Sequence, residues 1–456
     1  MATTSIEEAI TRLAPTFSGE MLRPGQPGYD EARRVHNGLI DKRPRLIARC
    51  RNVSDIVDAV GLARTYSLEV AVRGGGHNVA GRGTVEDGLM IDLALMRGVH
   101  VDPNARTARA QGGVTWKEFN RETQLHGLAT TGGVVGSTGI AGLTLGGGLG
   151  WLMPKYGMAL DNLLSVQLVL ADGRVLQASA HDHPDLFWAV RGGGGNFGVA
   201  ASLEYRLHPV GPVITGGLVA HPIERAKDVL QFFRDITARL PDETMLVAGL
   251  VPAPDGSGAK LAAMVACHCG RPEEGAAALG PVKAFGPPIV DAVGPIPYVA
   301  LNGLLDGGFP KGALNYWKSH FVPALSDAAM IVAIESFLRC PAPMGQILFE
   351  HFHGASTRVG VSETAFALRS SGYNVLILSQ WMEPKDTDRS IAWARETYAA
   401  LQPFFGPMRY LNYLGDDEPG NPSVEAYGVN YERLRQLKRT YDPDNVFHVN
   451  QNIRPA

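Results

Sequence analysis

The sequence predicts an α+β protein with two domains. Its 456 residues exceed what one ordinary hydrophobic core accommodates, so two domains are expected. In residues 40–212, short apolar runs and glycine-rich turns mix strands with helices, without a regular β-α-β alternation. Residues 213–404 instead show several strands and a few long helices, which is the pattern of an antiparallel sheet with helices on one face.

Local signals predict individual elements within residues 40–212. Val53–Tyr66 has the apolar spacing of a helix, with Ser54 as its expected N-cap. Thr115 and Glu118 have the spacing of a capping box, which predicts the start of a second helix. An Asp-Gly turn at residues 172–173 separates two apolar runs and predicts a β-hairpin.

Longer elements are predicted in residues 213–404, which begin with a helix at Ile223–Leu240. The predicted strands are Met245–Val251, Lys260–Cys267, Ala328–Phe337, Gln346–Phe352 and Asn374–Trp381. A helix at Arg389–Leu401 follows them. The last segment, residues 405–456, is short, aromatic and rich in Asn, so we expect it to pack against one of the larger units rather than fold alone.

Composition excludes several classes of function. The 42 basic and 45 acidic residues give a net charge of −3, which argues against a nucleic-acid-binding protein. No run of about 18 apolar residues predicts a membrane span, and the first residues do not resemble a secretory signal. Four cysteines do not make a disulfide framework in a chain of this length, so we expect a cytoplasmic protein.

Two glycine-rich loops are candidates for ligand binding. The first, Arg73–Gly81, presents His77 behind three glycines, where the main chain can approach a flat ligand or a pyrophosphate. The second, Gly132–Trp151, offers successive main-chain N–H groups as an anion site, with the Ser137 and Thr138 hydroxyls as further donors. A loop histidine in a tight turn and a flexible linker are the alternatives, but the apolar residues of the second loop favour burial.

Other motifs are weaker. Residues 193–198 read G-x-G-x-x-G, but a predicted helix precedes them and a strand follows, which reverses the order of a Rossmann dinucleotide site. Cys267, His268 and Cys269 are adjacent in a predicted strand. Consecutive strand residues point to opposite faces, so a buried strand is favoured over a metal site.

Several ordered motifs together resemble FAD-linked oxidases. They occupy residues 73–81, 132–151, 154–157, 161–162, 188–198, 430–434, 442–447 and 450–453. The sequence is similar to the group of berberine bridge enzyme and 6-hydroxy-D-nicotine oxidase, within the vanillyl-alcohol oxidase and p-cresol methylhydroxylase (PCMH) superfamily. The resemblance implies a PCMH-type FAD-binding domain in residues 1–212, with its core at 40–212. It also implies a substrate domain in residues 213–404 and a C-terminal segment, 405–456, that returns to the FAD domain.

The resemblance also implies how FAD is held. The histidine of the family's first motif is bonded to the 8α-methyl carbon of the flavin, a role that falls on His77. Many members add a second bond from a Cys, where this chain has Val135, so we expect a single covalent link. The family position thought to gate oxygen corresponds to Thr138, and a Val there usually accompanies reaction with oxygen. The expected cofactor-binding residues are Arg73, Gly74, Gly75, Gly76, His77, Asn78, Gly81, Gly133, Val135, Ser137, Thr138, Gly139, Gly142, Tyr156, Asp161, Gly198, Val199, Asn450 and Asn452.

The catalytic base is less well marked by the resemblance. Plant-type members place tyrosines at positions that correspond here to Val79, Leu149 and Ala426, so that assembly does not transfer. Family members position an acid or base on the central strands of the substrate domain. The candidates in this chain are Glu350, His351 and His353, with the two histidines on one face of the strand and Glu350 on the other. A solvent-facing edge strand is the alternative interpretation.

The predicted function is that of an FAD-dependent oxidase. A base removes an O–H or N–H proton from a small substrate while hydride leaves the adjacent carbon, and oxygen is the expected electron acceptor, giving hydrogen peroxide. An aromatic alcohol, a phenol or a cyclic amine is favoured by the aromatic residues Trp317, Phe321, Phe349, Phe352 and Trp381, with an ordinary core as the alternative interpretation of these residues. A carbohydrate oxidase, a dehydrogenase with another acceptor, and a flavoprotein carrier without turnover are the alternatives. We expect no metal, nucleic-acid or membrane partner, and monomer and homodimer are both left open.

Overall fold

The computed structural model describes residues 5–418, 420 and 422–456. It contains helices and mostly antiparallel sheets, which confirms the α+β prediction. None of the helices in these residues is long and apolar enough to cross a membrane. The α-helices are α1 (Ile6–Leu13), α2 (Tyr29–Ala32), α3 (Val53–Thr65), α4 (Trp116–Gln124), α5 (Ile140–Leu145), α6 (Met153–Tyr156), α7 (Pro184–Val190), α8 (Ala226–Thr237), α9 (Pro272–Ala284), α10 (Tyr298–Asn302), α11 (Asp327–Leu338), α12 (Ala355–Arg358), α13 (Thr387–Leu401), α14 (Pro422–Tyr427) and α15 (Tyr431–Tyr441).

The first sheet has four strands in the order β1-β2-β4-β3. They are β1 (Glu20–Leu22), β2 (Leu46–Arg49), β3 (Val70–Arg73) and β4 (Leu89–Asp92). β4 pairs in parallel with β2 and β3, whereas β1 is antiparallel to β2. The apolar side of α3 packs in the same core as these strands, as its spacing predicts. Its N-cap is Asn52 rather than the predicted Ser54, because the Asn52 side chain accepts a hydrogen bond from the Asp55 N–H at 2.9 Å.

The second sheet has five antiparallel strands in the order β5-β6-β10-β8-β9. They are β5 (Val99–Asp102), β6 (Thr107–Gln111), β8 (Leu163–Val169), β9 (Val175–Ser179) and β10 (Val199–Arg206), while β7 (Leu128–Ala129) and β11 (His208–Pro209) form a separate pair. The predicted hairpin is confirmed as β8 and β9, with Gly173 at a φ of 86° in the turn. The predicted capping box of Thr115 and Glu118 is also confirmed at the start of α4.

The third sheet has eight strands, and all of its strand pairs are antiparallel. Its path is β15-β12-β14-β13-β18-β19-β17, with β16 also paired to β12. The strands are β12 (Val213–Pro222), β13 (Thr244–Pro252), β14 (Lys260–His268), β15 (Val290–Asp291), β16 (Gly294–Pro297), β17 (Leu314–Val322), β18 (Gln346–Phe352) and β19 (Gly372–Trp381).

One face of this third sheet is covered by helices. Apolar residues of α8, α9, α11 and α13 form one buried cluster with alternate residues of the strands, among them Leu246, Met264 and Phe349. The residues between them along each strand point to the opposite face. We call this opposite face the cavity face, because it lines the candidate site described below.

The third sheet differs from the sequence prediction in one wrong strand and in four strands that were not predicted, β12, β15, β16 and β17. Residues 328–337 form most of α11 rather than a strand, because Ser326 caps the helix and the buried Ala329, Met330, Ala333 and Phe337 repeat at helical spacing. The long apolar run concealed this period. Strand β17 was not predicted, because Lys318, Ser319 and His320 interrupt its apolar pattern.

The C-terminal segment packs against the residues that precede β10. Leu434 of α15 joins the core that contains the second sheet. The Lys438 ammonium, fully buried, donates to the Asn196 carbonyl at 2.7 Å and to Asp442 at 2.6 Å. The Ile453 N–H donates to the Asn196 side chain at 2.9 Å. These contacts position the end of the chain beside the 193–198 loop, while the domain boundaries given above stay a prediction.

Candidate active site

A cavity of about 630 Å³ connects the glycine-rich loops with the cavity face of the third sheet. Fourteen of the sequence-predicted site residues line it: Arg73, Gly74, Gly75, Gly76, His77, Asn78, Gly133, Val135, Thr138, Gly139, Gly142, Gly198, Asn450 and Glu350. The C-terminal segment contributes Tyr410, Tyr413 and Tyr427 to the same lining. Residues far apart in the chain therefore meet around one space, as a site between two structural layers requires.

The loop that carries His77 is fixed from below by a buried ion pair. The Arg73 guanidinium at the end of β3 donates to both carboxylate oxygens of Asp92, at 2.9 and 2.5 Å, and to the Arg34 carbonyl at 2.9 Å. The main chains then come very close, since a Cβ on Gly75 would lie 2.3 Å from the Gly139 nitrogen. Arg73 thus supports the loop, and Asp92 is a supporting residue that the sequence motifs did not reveal.

The His77 imidazole lies between hydroxyl groups and a second histidine. Its Nε2 is 2.8 Å from Ser137 Oγ, and its Nδ1 is 3.4 Å from Thr138 Oγ1. Its other side stacks on His36, with ring centroids 3.9 Å apart. Burial is the main cause that lowers the pKa of His77 to about 3, and His36 and Lys311 act in the same direction. The ring is therefore neutral at physiological pH and keeps a nitrogen lone pair, which a covalent bond to an electrophilic carbon requires.

The second glycine-rich loop is fixed on both sides. Its main chain pairs with the start of α4, where the Lys117 N–H donates to the Gly136 carbonyl at 2.8 Å. The Gly136 N–H donates to Asp306 at 2.6 Å. Val135 lines the cavity next to these contacts and carries no nucleophile. This loop is a fixed wall of the cavity rather than a linker.

Six predicted cofactor-binding residues lie outside the cavity lining, five of them without a described hydrogen bond to His77. Gly81 occupies a turn at a φ of 70°, Val199 is buried at the start of β10, and Asn452 is in the C-terminal segment. Tyr156 stacks on His208 with centroids 3.9 Å apart, and Asp161 forms a two-bond ion pair with Arg369 at 2.7 and 2.8 Å. Tyr156 and Asp161 therefore make contacts within the protein, and cofactor binding by the five residues stays a prediction. Ser137 is also outside the lining but contacts His77 directly.

Glu350 is a buried carboxyl group on the cavity face of β18. It accepts a hydrogen bond from Asn374 Nδ2 at 2.7 Å and another from the Tyr413 hydroxyl at 3.0 Å. Burial raises the pKa of Glu350 to about 7, although both hydrogen bonds act to lower it. A carboxyl group with this pKa exchanges protons readily near neutral pH, as a general base must.

His351 and His353 do not reach the cavity. His351 lies on the helix-covered side of β18, next to Tyr373, with ring centroids 5.0 Å apart. His353 stacks on His351 at 4.6 Å, and its Nε2 bonds to the Thr244 carbonyl at 3.1 Å. Strand alternation turns them away from Glu350, so the structure corrects the grouping of these three residues as catalytic candidates.

Two tyrosines of the C-terminal segment belong to the site, although the sequence motifs did not identify them. Tyr413 donates its hydroxyl hydrogen to Glu350, and burial raises the pKa of its phenol well above the ordinary value. The Tyr410 oxygen accepts hydrogen bonds from the Gly148 and Leu149 N–H groups at 3.1 and 3.3 Å. The aromatic composition of this segment was the available signal. Tyr410 connects the second glycine-rich loop to Tyr413, since the two rings lie with centroids 4.9 Å apart.

One cavity thus brings together main-chain glycines, a neutral histidine and a buried carboxyl group, as expected of a flavin-dependent oxidoreductase. The family described as "FAD binding domain" matches residues 44–179, and the family described as "Berberine and berberine like" matches residues 409–454. The chain is 31% identical to (R)-6-hydroxynicotine oxidase of Paenarthrobacter nicotinovorans, over 96% of this chain and 97% of that protein. It is 29% identical to an FAD-linked oxidoreductase of Dictyostelium discoideum, over 98% and 97% of the two chains.

Structural similarity leads to the same group. The crystal structure of 6-hydroxy-D-nicotine oxidase from Arthrobacter nicotinovorans superposes with a TM-score of 0.88 at 28% identity, over 96% of this chain and 98% of that one. This chain therefore belongs to the family of FAD-linked oxidoreductases related to berberine bridge enzyme. It is an FAD-linked oxidoreductase with a PCMH-type fold, as its motifs predict.

The residues of the cavity fit FAD. Its lining runs without a break from the apolar Val70 and Phe447, past the glycine loops, to Glu350, which gives a long dinucleotide room to extend. The buried Oδ1 atom of Asn450 has no hydrogen-bond partner in the described residues and belongs to a cavity-lining side chain. Such an acceptor is expected where a ligand donates a hydrogen bond.

Proposed function

We propose that this protein is an FAD-dependent oxidase that removes hydride from an alcohol or amine carbon of a small aromatic or cyclic substrate. Electrons then pass to oxygen, which yields hydrogen peroxide. The observation that carries the proposal is Glu350, a buried carboxyl group that lines the cavity and has a pKa raised to about 7. FAD, when bound, supplies the hydride acceptor, and the chain supplies the acid–base chemistry and the shape of the site.

Glu350 is the proposed general base. In its ionised form it accepts the O–H or N–H proton of the substrate, which makes loss of hydride from the adjacent carbon favourable. Asn374 and Tyr413 hold one oxygen each, at 2.7 and 3.0 Å, and so fix the direction of the carboxylate. The burial that raises the pKa also excludes water from the proton-transfer site.

His77 is the proposed attachment residue for FAD. Its neutral ring lines the cavity, and the Ser137 and Thr138 hydroxyls on both ring nitrogens restrict its rotation. Val135 lies in the cavity wall where many family members carry a second attachment residue, and valine forms no such bond. These observations support one covalent link through His77 and none through residue 135. Arg73, the glycine loops and Asn450 would hold the remainder of the cofactor.

Oxygen is the proposed electron acceptor, and Thr138 supports it only through its size, which matches the valine typical of oxidases in this family. The test is anaerobic reduction of the purified holoenzyme with a panel of aromatic alcohols and cyclic amines, followed by admission of air. We expect bleaching of the flavin, then recovery of the yellow colour within seconds and one peroxide per substrate. Flavin that stays reduced for minutes in air identifies a dehydrogenase instead.

The same panel separates an enzyme from a flavoprotein carrier. A carrier binds compounds without bleaching, whereas an oxidase bleaches and then turns over. Sugars belong in the panel, because the carbohydrate alternative differs in the substrate and not in the cofactor. The cytoplasmic location stays a prediction that cell fractionation tests, and size-exclusion chromatography with light scattering decides between monomer and homodimer.

A further inference from the structure

Beyond Glu350, the cavity continues over three strands that the proposed chemistry does not use. We call this extension the aliphatic arm and define it by Leu218, Ala220, Val247, Val251, Leu261 and Ala263. They lie on β12, β13 and β14 and share the cavity face. Ala220, Leu261 and Ala263 form a small apolar cluster separate from the helix-covered core of the sheet.

Strand register gives the arm its shape. Ala220, Ala263 and Gly249 lie opposite one another on neighbouring strands, so the middle of the arm carries methyl groups and one bare main chain. Leu218, Val265 and Val247 form one side, and Leu261 and Val251 form the other side. Small residues between branched residues leave a channel that runs across the strands.

Across the channel lie apolar residues from another part of the chain. Leu304, Leu305 and Phe309 also line the cavity, and they follow α10 in the chain. The Asn302 side chain of α10 donates to the Gly133 carbonyl at 3.0 Å, and Asp306 accepts from the Gly136 N–H. These bonds attach the 302–309 segment to the loop that forms the cofactor side of the cavity.

The arm starts next to the proposed base. Val247 lies directly opposite Glu350 in the β13–β18 pair. Three strand spacings of ~4.8 Å separate β18 from β12, so the arm is roughly 14 Å long, about the length of a ten-carbon alkyl chain. Leu348 leans over Gly249, since a Cβ there would lie 2.8 Å from Leu348 Cδ2, and this flexible side chain marks the entrance to the arm.

The walls of the arm on β12, β13 and β14 offer a ligand no polar side chain, and Gln346 on the neighbouring β18 is the polar residue that lies beside Val251 at the edge of the arm. Among the described residues that line it, from β12, β13, β14 and the 304–309 segment, none carries a side-chain nitrogen or oxygen. A sugar hydroxyl placed there would lose its hydrogen bonds to water without replacement, whereas a hydrocarbon chain would lose only unfavourable contact with water. The polarity of the cavity is therefore divided, with the carboxyl group at one end and aliphatic walls at the other.

We infer that the substrate is an elongated amphiphile, with an oxidisable polar head at Glu350 and a hydrocarbon tail of up to about ten carbons in the aliphatic arm. This inference rests on the proposed function for the placement of the head. It adds a substrate class that excludes simple sugars, and it makes Ala263 and Ala220 residues that determine chain-length specificity.

The test measures binding rather than turnover. The probes are 4-alkylbenzamides with unbranched chains of one to ten carbons, which have a polar head but no oxidisable alcohol or amine carbon. Their Kd for the purified holoenzyme is measured from the change in the visible flavin spectrum or in tryptophan fluorescence. Because each buried methylene contributes a roughly constant free energy, we expect Kd to fall about fourfold per added carbon until the arm is full.

Ala263→Leu puts a larger side chain in the middle of the arm. We expect this variant to lose the gain in affinity for chains longer than about four carbons, while Kd for the methyl compound changes less than about twofold. Ala220 lies at the far end of the arm, so Ala220→Leu should weaken binding only of the longest chains. It provides a second variant if Ala263→Leu does not fold. A Kd independent of chain length in the wild type overturns the inference. A gain in affinity per carbon that is the same in both variants as in the wild type also overturns it.

Glu350→Gln separates this inference from the proposed function. The variant should lose turnover but keep the same dependence of Kd on chain length, because the arm is unchanged. A chain-length dependence without any peroxide production from alkylated alcohols or amines would contradict the oxidase proposal and leave the arm established. Peroxide production without a dependence of Kd on chain length would support the oxidase proposal and overturn the inference of the aliphatic arm.

Discussion

The cavity has two walls. The glycine-rich loops form the cofactor wall, mainly with main-chain atoms, and the third sheet forms the substrate wall, mainly with side chains. On the cofactor wall, Gly75 and Gly139 bring main chains so close that a Cβ would clash, and the side chain proposed to bind the cofactor covalently is His77. On the substrate wall, the sheet is regular and most features come from side chains, from Glu350 to Ala220, with Gly249 as the exception. The cofactor wall depends on backbone geometry, whereas the substrate wall depends on which residue occupies each strand position.

This difference explains how each wall tolerates change. A side chain added to the cofactor wall at Gly75 would meet main-chain atoms that cannot move away, so the loop itself would have to shift. A change on the substrate wall at Ala263 alters the shape of a channel and leaves the sheet register intact. We therefore expect the cofactor to be the same across related proteins, whereas the substrate differs.

The largest expected effect comes from Glu350→Gln on the substrate wall. Removing a general base lowers kcat/KM by about 10²–10⁴-fold. Because burial raises the pKa of Glu350 to about 7, the base is ionised above that pH, and kcat/KM of the wild type should fall about tenfold per pH unit below it. Steady-state peroxide production between about pH 5 and 9 measures both effects.

The variant should keep its FAD and its fold. The introduced amide can still accept from the Tyr413 hydroxyl through its carbonyl oxygen. The buried Asn374 Oδ1, which has no partner among the described residues, can accept from the new NH₂ group after a flip of the Asn374 side chain. Bound flavin per protein is therefore the control. We call the fall of kcat/KM below about pH 7 the acid limb. A kcat/KM within about tenfold of wild type, or an acid limb that persists in the variant, would contradict the role of Glu350.

The second prediction concerns His77 on the cofactor wall. In His77→Ala, acid precipitation should release all flavin into the supernatant, whereas the wild-type pellet should stay yellow and fluoresce on a denaturing gel. The physical reason is that His77 is the proposed attachment residue and that Val135, which lines the cavity where a second attachment residue would lie, carries no nucleophile. Release of flavin from the wild type by acid would show that the link does not exist.

The comparison of the walls also explains what the sequence could predict. Loops that approach a ligand with main chain need glycine at fixed spacing, so residues 73–81 and 132–151 indicated the cofactor wall by pattern alone. Glu350 was found as an ionisable residue in an apolar run. Tyr413 was missed because its contact with Glu350 spans 63 residues, and no local pattern encodes such a pairing. His353 was included because residue type alone does not show the face on which a side chain lies.

The third prediction is a shift rather than a loss. Tyr413 donates to the Glu350 carboxylate and so lowers its pKa, which burial has raised. Tyr413→Phe removes this bond, so the acid limb of kcat/KM should move to higher pH, by about one unit, since a hydrogen bond to a charged group contributes ~1.5 kcal/mol. The activity at neutral pH should fall several-fold and recover about two pH units higher.

Tyr410→Phe is the matched control for this shift. Its hydroxyl accepts hydrogen bonds from the Gly148 and Leu149 N–H groups and makes no hydrogen bond to Glu350. Its loss can lower activity at every pH through the loop, but the midpoint of the acid limb should stay at the wild-type value. If both variants shift the limb equally, the change reflects the packing of the C-terminal segment and not the hydrogen bond of Tyr413.

The smallest expected effect belongs to His353, which directly follows β18 and stacks on His351, away from the cavity. The His353 Nε2 bonds to the Thr244 carbonyl at 3.1 Å, and a glutamine amide can make the same bond. His353→Gln should therefore leave kcat/KM, its pH profile and the flavin content within about twofold of wild type. Since residue 353 lies close to Glu350 along the chain, unchanged kinetics would show that strand face, and not proximity in sequence, decides which residues act. A lost acid limb in His353→Gln would instead mean that proton transfer passes through the sheet.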